Sequence, residues 1–342
     1  MKALNKICDG GLITTALTIS AIVAASASPS TAKRAPSGHE EQKPSISVET
    51  TLVNVDVLVT DQDGRVLDGL KKENFRILDE GATRTIEHFE QAGAPLTIAI
   101  VMEYSGIASN RYAYKAASWG SSFLDQLDPL DWVALVTYDA KPTVRLDFTR
   151  NKAEMRRTIS TLSYPIFREA SLYDAITDTL DRLDGIKEKK AILLLSTGAN
   201  TMSAVTLDDT LKRIKRSDVA IFSVALAEAE TQPSLVNRIN YLQAKNQLQA
   251  FANLSGGSAW FSRFDGQLPE IFKGVGAFLR SRYSIGFSPE KLSHDGKYHK
   301  LKIQIVRPDG SPLIITTPEG KRQKPSVYAR EGYTAPGQRA RD

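Results

Sequence analysis

The chain has 342 residues, of which 42% are hydrophobic and 24% charged, with a formal net charge of +5. These values suit one large or two medium globular domains, and they exclude gross disorder and a multi-span membrane protein. The basic residues are scattered and form no stripe interleaved with aromatics, so nucleic acid is not an expected partner.

Lys2 and Lys6 precede an uncharged, mostly apolar stretch from Gly10 to about Ala25, which closes on Ala25-Ser26-Ala27. A positive start, an apolar middle and small residues at a cleavage point predict a signal peptide over residues 1–27. The mature protein is then periplasmic or extracellular. The apolar run is short and broken by Thr and Ser, so no stable membrane span is expected after cleavage. Cys8 is the one cysteine and lies inside this segment. The mature chain is expected to carry no thiol, and with it no disulfide, thiolate metal site or Cys nucleophile. Residues 28–45, rich in Ser, Pro and charge, read as a flexible linker.

From Ile46 the pattern changes. Val53, Val55, Val57 and Val59 alternate with Asn54, Asp56 and Leu58, which predicts a strand with one face more buried than the other. Short strands are expected at Asn74–Leu78 and Thr83–Phe89, with turns at Asp61-Gln62-Asp63-Gly64 and Asp79-Glu80-Gly81, where a glycine follows acidic residues. Asp61 and Asp63 invite a calcium reading, but the loop lacks the glycine and glutamate spacing of an EF-hand, and a turn is expected. Residues 46–92 are read as a small antiparallel β unit.

Pro95–Ser105 reads PLTIAIVMEYS. An apolar run that ends in a carboxylate and a hydroxyl predicts a central parallel strand, buried on both faces and releasing its polar groups at the carboxyl edge of an α/β sheet. Further strands are expected at Trp132–Tyr138, Thr143–Phe148, Ala191–Leu195, Ala220–Ala225 and Ala259–Phe261. Helices are expected at Tyr112–Leu127, Lys152–Leu162, Leu172–Leu183, Leu207–Arg216, Arg238–Leu254 and Leu268–Arg282. Strands alternating with helices predict a mostly parallel sheet covered on both sides. From Tyr283 the period returns to two, in Tyr283–Phe287 and again in Leu301–Ile305. Two such strands cannot stand alone, and pairing with the segment before Phe89 would make one β domain split by the inserted α/β domain. The expected organisation is therefore a β unit at 46–92, an α/β domain at 95–282 and a second β unit at 283–334. The tail from Lys321 is basic and polar and is expected to fray, residues 335–342 included.

With these residues in hand the chain resembles the von Willebrand factor A (VWA) domain, and in particular exported bacterial proteins with a VWFA-related domain. The resemblance is carried by Val59-Thr60-Asp61-Gln62-Asp63-Gly64, Gly69-Leu70 with Asn74-Phe75, Leu172-Tyr173-Asp174-Ala175, Gly256-Gly257 and Glu331-Gly332-Tyr333. It implies a Rossmann-like fold and a protein that binds rather than catalyses. It also implies a Mg²⁺ or Mn²⁺ site at the carboxyl edge, held by Asp-x-Ser-x-Ser, a Thr and an Asp, all hard oxygen donors. Here the first motif reads Glu103-Tyr104-Ser105-Gly106-Ile107. The Thr position falls on Ala170, with Ser171 one residue late, and the Asp position falls on Thr197. The resemblance thus implies a degenerate site and no resident cofactor. The expected partner is a protein or peptide, met at Glu103, Ser105, Ile107, Arg168, Ala170 and Thr197. Arg168 is expected to pair with Glu103 and supply the charge a cation would bring. The alternative is a metal-dependent adhesion protein using Glu103, Ser105, Ser171 and Thr197, helped by Asp174 and Asn200.

Catalytic signals are weak. No Gly-x-Ser-x-Gly elbow or His-Glu-x-x-His occurs, and His39, His88, His294 and His299 lack partners at zinc spacing. Asp125, Asp128 and Asp131 flank Pro129 where acidic residues are expected to cap and solvate. An exported hydrolase remains the third and least supported class.

Overall fold

The computed structural model describes residues 52–91, 93, 95–106, 122–162, 167–186, 188–225, 235–262, 265–289, 295–317 and 320–335. The segments expected to be a signal peptide and a linker, together with His39, Ile107 and His294, lie outside them. All described residues belong to one unit, Glu49–Asp342.

Alternation sets the first strand. In β1 (Val53–Thr60) the valines at 53, 55, 57 and 59 are buried and Asn54 is exposed. The loop after it is built on Asp61, whose Oδ1 accepts the backbone N–H groups of Asp63 (2.9 Å) and Arg65 (2.8 Å). β2 (Phe75–Asp79) and β3 (Ala82–Arg84) form a tight hairpin, with Asp79 opposite Ala82. Its two turn residues, Glu80 and Gly81, both have positive φ (48° and 86°), the geometry that matches the twist of a two-residue hairpin.

The expected strand Thr83–Phe89 is two strands in different sheets. β3 pairs with β2, whereas β4 (His88–Glu90) pairs with β11 (Tyr283–Phe287). Ile86 explains the break: it is buried in the core that the two sheets share, so the chain crosses between layers there. β1 pairs antiparallel with β11, and β2 with β12 (Tyr298–Ile305), so strands from before and after the α/β region complete each other. β13 (Ile315–Thr316) and β14 (Arg322–Gln323) form a small ladder of their own. The segment beyond Lys321, polar in sequence, is ordered by pairing. β15 (Ser326–Tyr328) joins β1 and β16 (Gly332–Thr334) joins β12, with Tyr333 in the core.

The central sheet has six strands, in the order β10-β9-β8-β5-β6-β7. These are β5 (Leu96–Glu103), β6 (Trp132–Tyr138), β7 (Pro142–Thr149), β8 (Lys189–Ser196), β9 (Ala220–Ala225) and β10 (Ser258–Phe261). Only β7 runs antiparallel to its neighbour. The helices are α1 (Lys152–Ser160), α2 (Leu172–Leu183), α3 (Leu207–Arg216), α4 (Leu235–Ser255) and α5 (Leu268–Arg280). Of the expected helix at Tyr112–Leu127, residues 122–124 are helical and 112–121 lie outside the described residues. Every residue of β5 is buried. Ile98, Ile100 and Met102 pack with Leu268, Phe272, Val275 and Leu279 of α5 on one face. Ala99 and Val101 pack with Leu172, Ile176 and Leu180 of α2 on the other. Such two-sided burial is why the strand reads as a continuous apolar run. Among the described residues, no helix is long and apolar enough to cross a membrane.

Asp131 departs from expectation. It is fully buried rather than solvated, because it ties the entry of β5 to the end of α5. Its carboxylate accepts the N–H groups of Leu96 (2.9 Å) and Asp128 (2.8 Å) and pairs with Arg280. Asp131→Ala leaves those donors without an acceptor and is expected to cost about 2–3 kcal/mol. The urea midpoint of unfolding checks this; a change under about 0.5 kcal/mol contradicts the assigned role.

Candidate functional site

Three neighbouring strands end in polar residues at the carboxyl edge. β5 ends on Glu103, β6 on Tyr138 and β8 on Ser196, and parallel register places Tyr138 directly beside Glu103. Glu103 is 3% exposed. Its Oε1 accepts from Ser105 Oγ at 2.8 Å. Its Oε2 accepts from the Thr197 backbone N–H (2.7 Å), from Thr197 Oγ1 (2.8 Å) and from Ser196 Oγ (3.3 Å).

The Tyr138 hydroxyl reaches two acceptors, Ser196 Oγ and, at 3.3 Å, Glu103 Oε2. Tyr138 O–H donates to Ser196 Oγ at 2.7 Å, and the Gly198 N–H donates to the same oxygen at 2.8 Å. Ser196 therefore spends both lone pairs as an acceptor and its one proton on Glu103. Around an ionised Glu103 every group has a role, and a carboxylate has about four acceptor directions to fill. Burial pushes the Glu103 pKa above the ordinary carboxylate value, while bonds from Thr197, Ser105 and Ser196 pull it back in part. Burial, and then the Glu103 charge, push the Tyr138 phenol well up, so it stays a donor.

Arg168 does not pair with Glu103 as the sequence reading expected. It is exposed in the loop before α2, and among the described residues no cation reaches ion-pairing distance of Glu103. The loop instead lies against Gly106, whose N–H donates to the Phe167 carbonyl at 2.8 Å. The charge is solvated by neutral hydroxyls and one backbone amide.

Residues 97–255 match the von Willebrand factor type A domain family. This stretch of the chain is a von Willebrand factor type A domain. No curated protein matches the chain. Among solved structures, proximal thread matrix protein 1 from the mussel byssus is 16% identical, with a TM-score of 0.45, covering 59% of this chain and 51% of that one. The chain thus spans about half the length of that protein. The vWF domain of the type V pili tip protein Mfa5 from Porphyromonas gingivalis is 13% identical (TM-score 0.43, covering 54% and 94%). A von Willebrand factor type A protein from Catenulispora acidiphila is 11% identical (TM-score 0.45, covering 76% and 73%).

Within the VWA domain the sequence-derived residues divide by depth. Ser105 and Ala170 are buried along with Glu103, so these three shape the edge from beneath. Arg168 is exposed and Thr197 half-buried. Ile107 lies outside the described residues. The oxygens proposed to rescue a metal site are engaged elsewhere. Asp174 accepts the Ala204 and Val205 N–H groups (2.9 and 3.0 Å), and Asn200 Oδ1 accepts from Ser203. Among the described residues, no three His, Cys, Asp or Glu side chains converge as metal ligands. Tyr138 and Ser196 were not singled out from sequence; the available signal was that each is the last polar residue of a strand adjacent to β5.

Ser171 is different. Its Oγ is fully buried at the start of α2 with no hydrogen-bond partner among the described residues. Ser171→Ala removes an unsatisfied hydroxyl and is expected to stabilise the fold by up to about 1 kcal/mol, read from the urea midpoint. A loss of stability would mean that the hydroxyl is satisfied in solution.

The raised Glu103 value fixes a pH sign. The folded state holds this proton more tightly than the unfolded chain, so the stability it contributes is full below about pH 4 and is lost as pH rises through the folded-state value. Glu103→Gln removes the titration; its amide can donate to Ser105 while its carbonyl keeps the Thr197 bonds. The variant is expected to show a flatter stability profile above the ordinary carboxylate range, measured by denaturant midpoints. An unchanged slope refutes the assignment.

Proposed function

We propose that the protein is an exported, non-catalytic VWA-type interaction module whose binding edge works without a divalent cation. The carrying observation is that four protein donors already converge on the buried Glu103 carboxylate, three of them on Oε2. Mg²⁺ or Mn²⁺ demands near-octahedral oxygen ligation, with carboxylates carrying the charge. These residues do not fit it: Ala170 offers a methyl where the family has a Thr, and Thr197 a hydroxyl where it has an Asp.

What remains at the surface suits a protein or peptide. Phe167 and Met202 are 52% and 57% exposed on two loops that meet at Ala170. The Ala170 carbonyl accepts the Thr201 and Met202 N–H groups, and its own N–H donates to Thr201 Oγ1 at 2.8 Å. That cross-bonding fixes the backbone that carries the two apolar side chains. Aromatic and Met side chains are enriched where proteins meet. The partner surface therefore centres on Phe167, Met202, Arg168 and Thr197, with Ile107 beside Gly106 in sequence.

Calorimetric titration of the full chain with Mg²⁺ and Mn²⁺ tests the reading. No saturable binding is expected up to about 1 mM, a weak limit for a protein cation site. Saturable binding, lost in Ser105→Ala and Ser171→Ala, favours the metal-dependent alternative. Capture of envelope proteins with wild type and with Ile107→Asp then reports the partner: a protein retained by both, or enriched only by the chelator-sensitive fraction, contradicts an apolar, metal-free contact.

A further inference from the structure

A second site lies at the opposite, amino end of the central sheet. Arg282, just after α5, is 3% exposed. Its Nη2 donates to the carbonyls of Asp56 (2.9 Å) and Gly256 (2.8 Å), which uses both protons of that nitrogen. Gly256, in the left-handed region at φ 77°, ends α4, and a Cβ there would meet Arg330 N at 2.3 Å. The guanidinium face lies over Phe222, 5.4 Å from the ring centroid. Nε and Nη1, carrying the other three protons, are buried with no hydrogen-bond partner among the described residues. No carboxylate among the described residues pairs with Arg282, and burial lowers its pKa, opposed by Asp56. A buried cation with unused donors needs acceptors close by.

Beside it opens a cavity of about 70 Å³, walled by residues of β1 and β11 on one side and by the starts of β8 and β9 on the other. One water needs about 10–15 Å³ in this measure, so the space takes a small polyatomic ion or several waters. The wall carries Lys189, Lys190, Arg282 and Arg330 against Asp56, Glu188 and Asp218. Lys190 is already paired with Asp218 at 2.7 Å, and Glu188 is exposed. Three cations are then left facing Asp56. Arg330 spends Nε on the Gly332 carbonyl and Nη2 on that of Lys215. Lys189 uses one proton on the Arg282 carbonyl at 3.0 Å and keeps two. Ser255 is saturated, accepting from Ile221 N–H and donating to the Ala252 carbonyl.

We propose that this cavity binds a small oxyanion, the size of phosphate or acetate, which accepts from Arg282 and Lys189 and bridges the β layers to the amino edge of the VWA sheet. Isolated donors around a tight cavity select by size and charge more than by planarity. This site is independent of the carboxyl edge and of the partner reading given for it.

Thermal unfolding of the full chain in phosphate, sulfate or acetate, each against chloride at matched ionic strength, tests the inference. A saturable rise in Tm is expected with at least one oxyanion and not with chloride, since a ligand specific for the folded state stabilises by mass action. Phosphate and sulfate acting without acetate identify a tetrahedral inorganic ion; acetate acting alone identifies a carboxylate. Arg282→Met is expected to weaken the apparent affinity by about tenfold or more. Should Arg282→Met fail to fold, Lys189→Met, at a half-buried position, decides by the same readout with a smaller loss. Equal Tm in oxyanion and chloride, or an oxyanion shift retained in the variants, overturns the proposal and leaves a water-filled cavity.

Discussion

A single carboxylate buried without a cation constrains the upper end of this molecule. Glu103 sits at the end of a strand covered on both faces, where an unsolvated charge would be intolerable. Its environment answers with hydroxyls: one from its own loop, others from the neighbouring strand ends and the turn after β8. Each of those hydroxyls is positioned by backbone that the sheet has already fixed. The strands must therefore be in register before the charge can be accommodated, and the charge in turn holds the strand ends together. Fold and site specify one another here.

Asp131 repeats the principle at the other end of β5, with a different solution. There the buried carboxylate meets Arg280 and two backbone amides, so formal charge is cancelled rather than solvated. The contrast bears on what each end can do. A charge pair surrounded by packing has little left to offer a ligand. A carboxylate ringed by neutral donors leaves few open lone pairs at the edge, where Phe167 and Met202 are the exposed apolar groups. The amino-edge cavity is the inverse case, a cluster of positive groups with unused donors around Arg282.

Much of the scaffold was legible in the letters because burial leaves a period. The β5 run, the helix face of Leu172, Ile176, Leu180 and Leu183, and the valine alternation of β1 each carry one. The break within Thr83–Phe89 was not, since alternation continues across Ile86 while the chain changes sheets. At the site, Glu103, Ser105 and Thr197 could be named from a motif and its spacing. Tyr138 could not, because its role depends on parallel register with a strand 35 residues away in sequence, which no local pattern encodes. The Arg168 expectation failed for a related reason: local charge logic supplied a plausible partner, but an exposed loop residue competes poorly with hydroxyls that the sheet edge already holds in place.

The pairing of β4 with β11 sets Glu90 opposite Ser284, so the chain enters and leaves the central α/β region through adjacent strands. The two ends of a long excursion are thereby brought to roughly the spacing of neighbouring strands, about 5 Å. Such geometry makes the excursion a cassette. Its length can change away from those strands while the surrounding antiparallel layers keep their connections, because their own ladders close the gap.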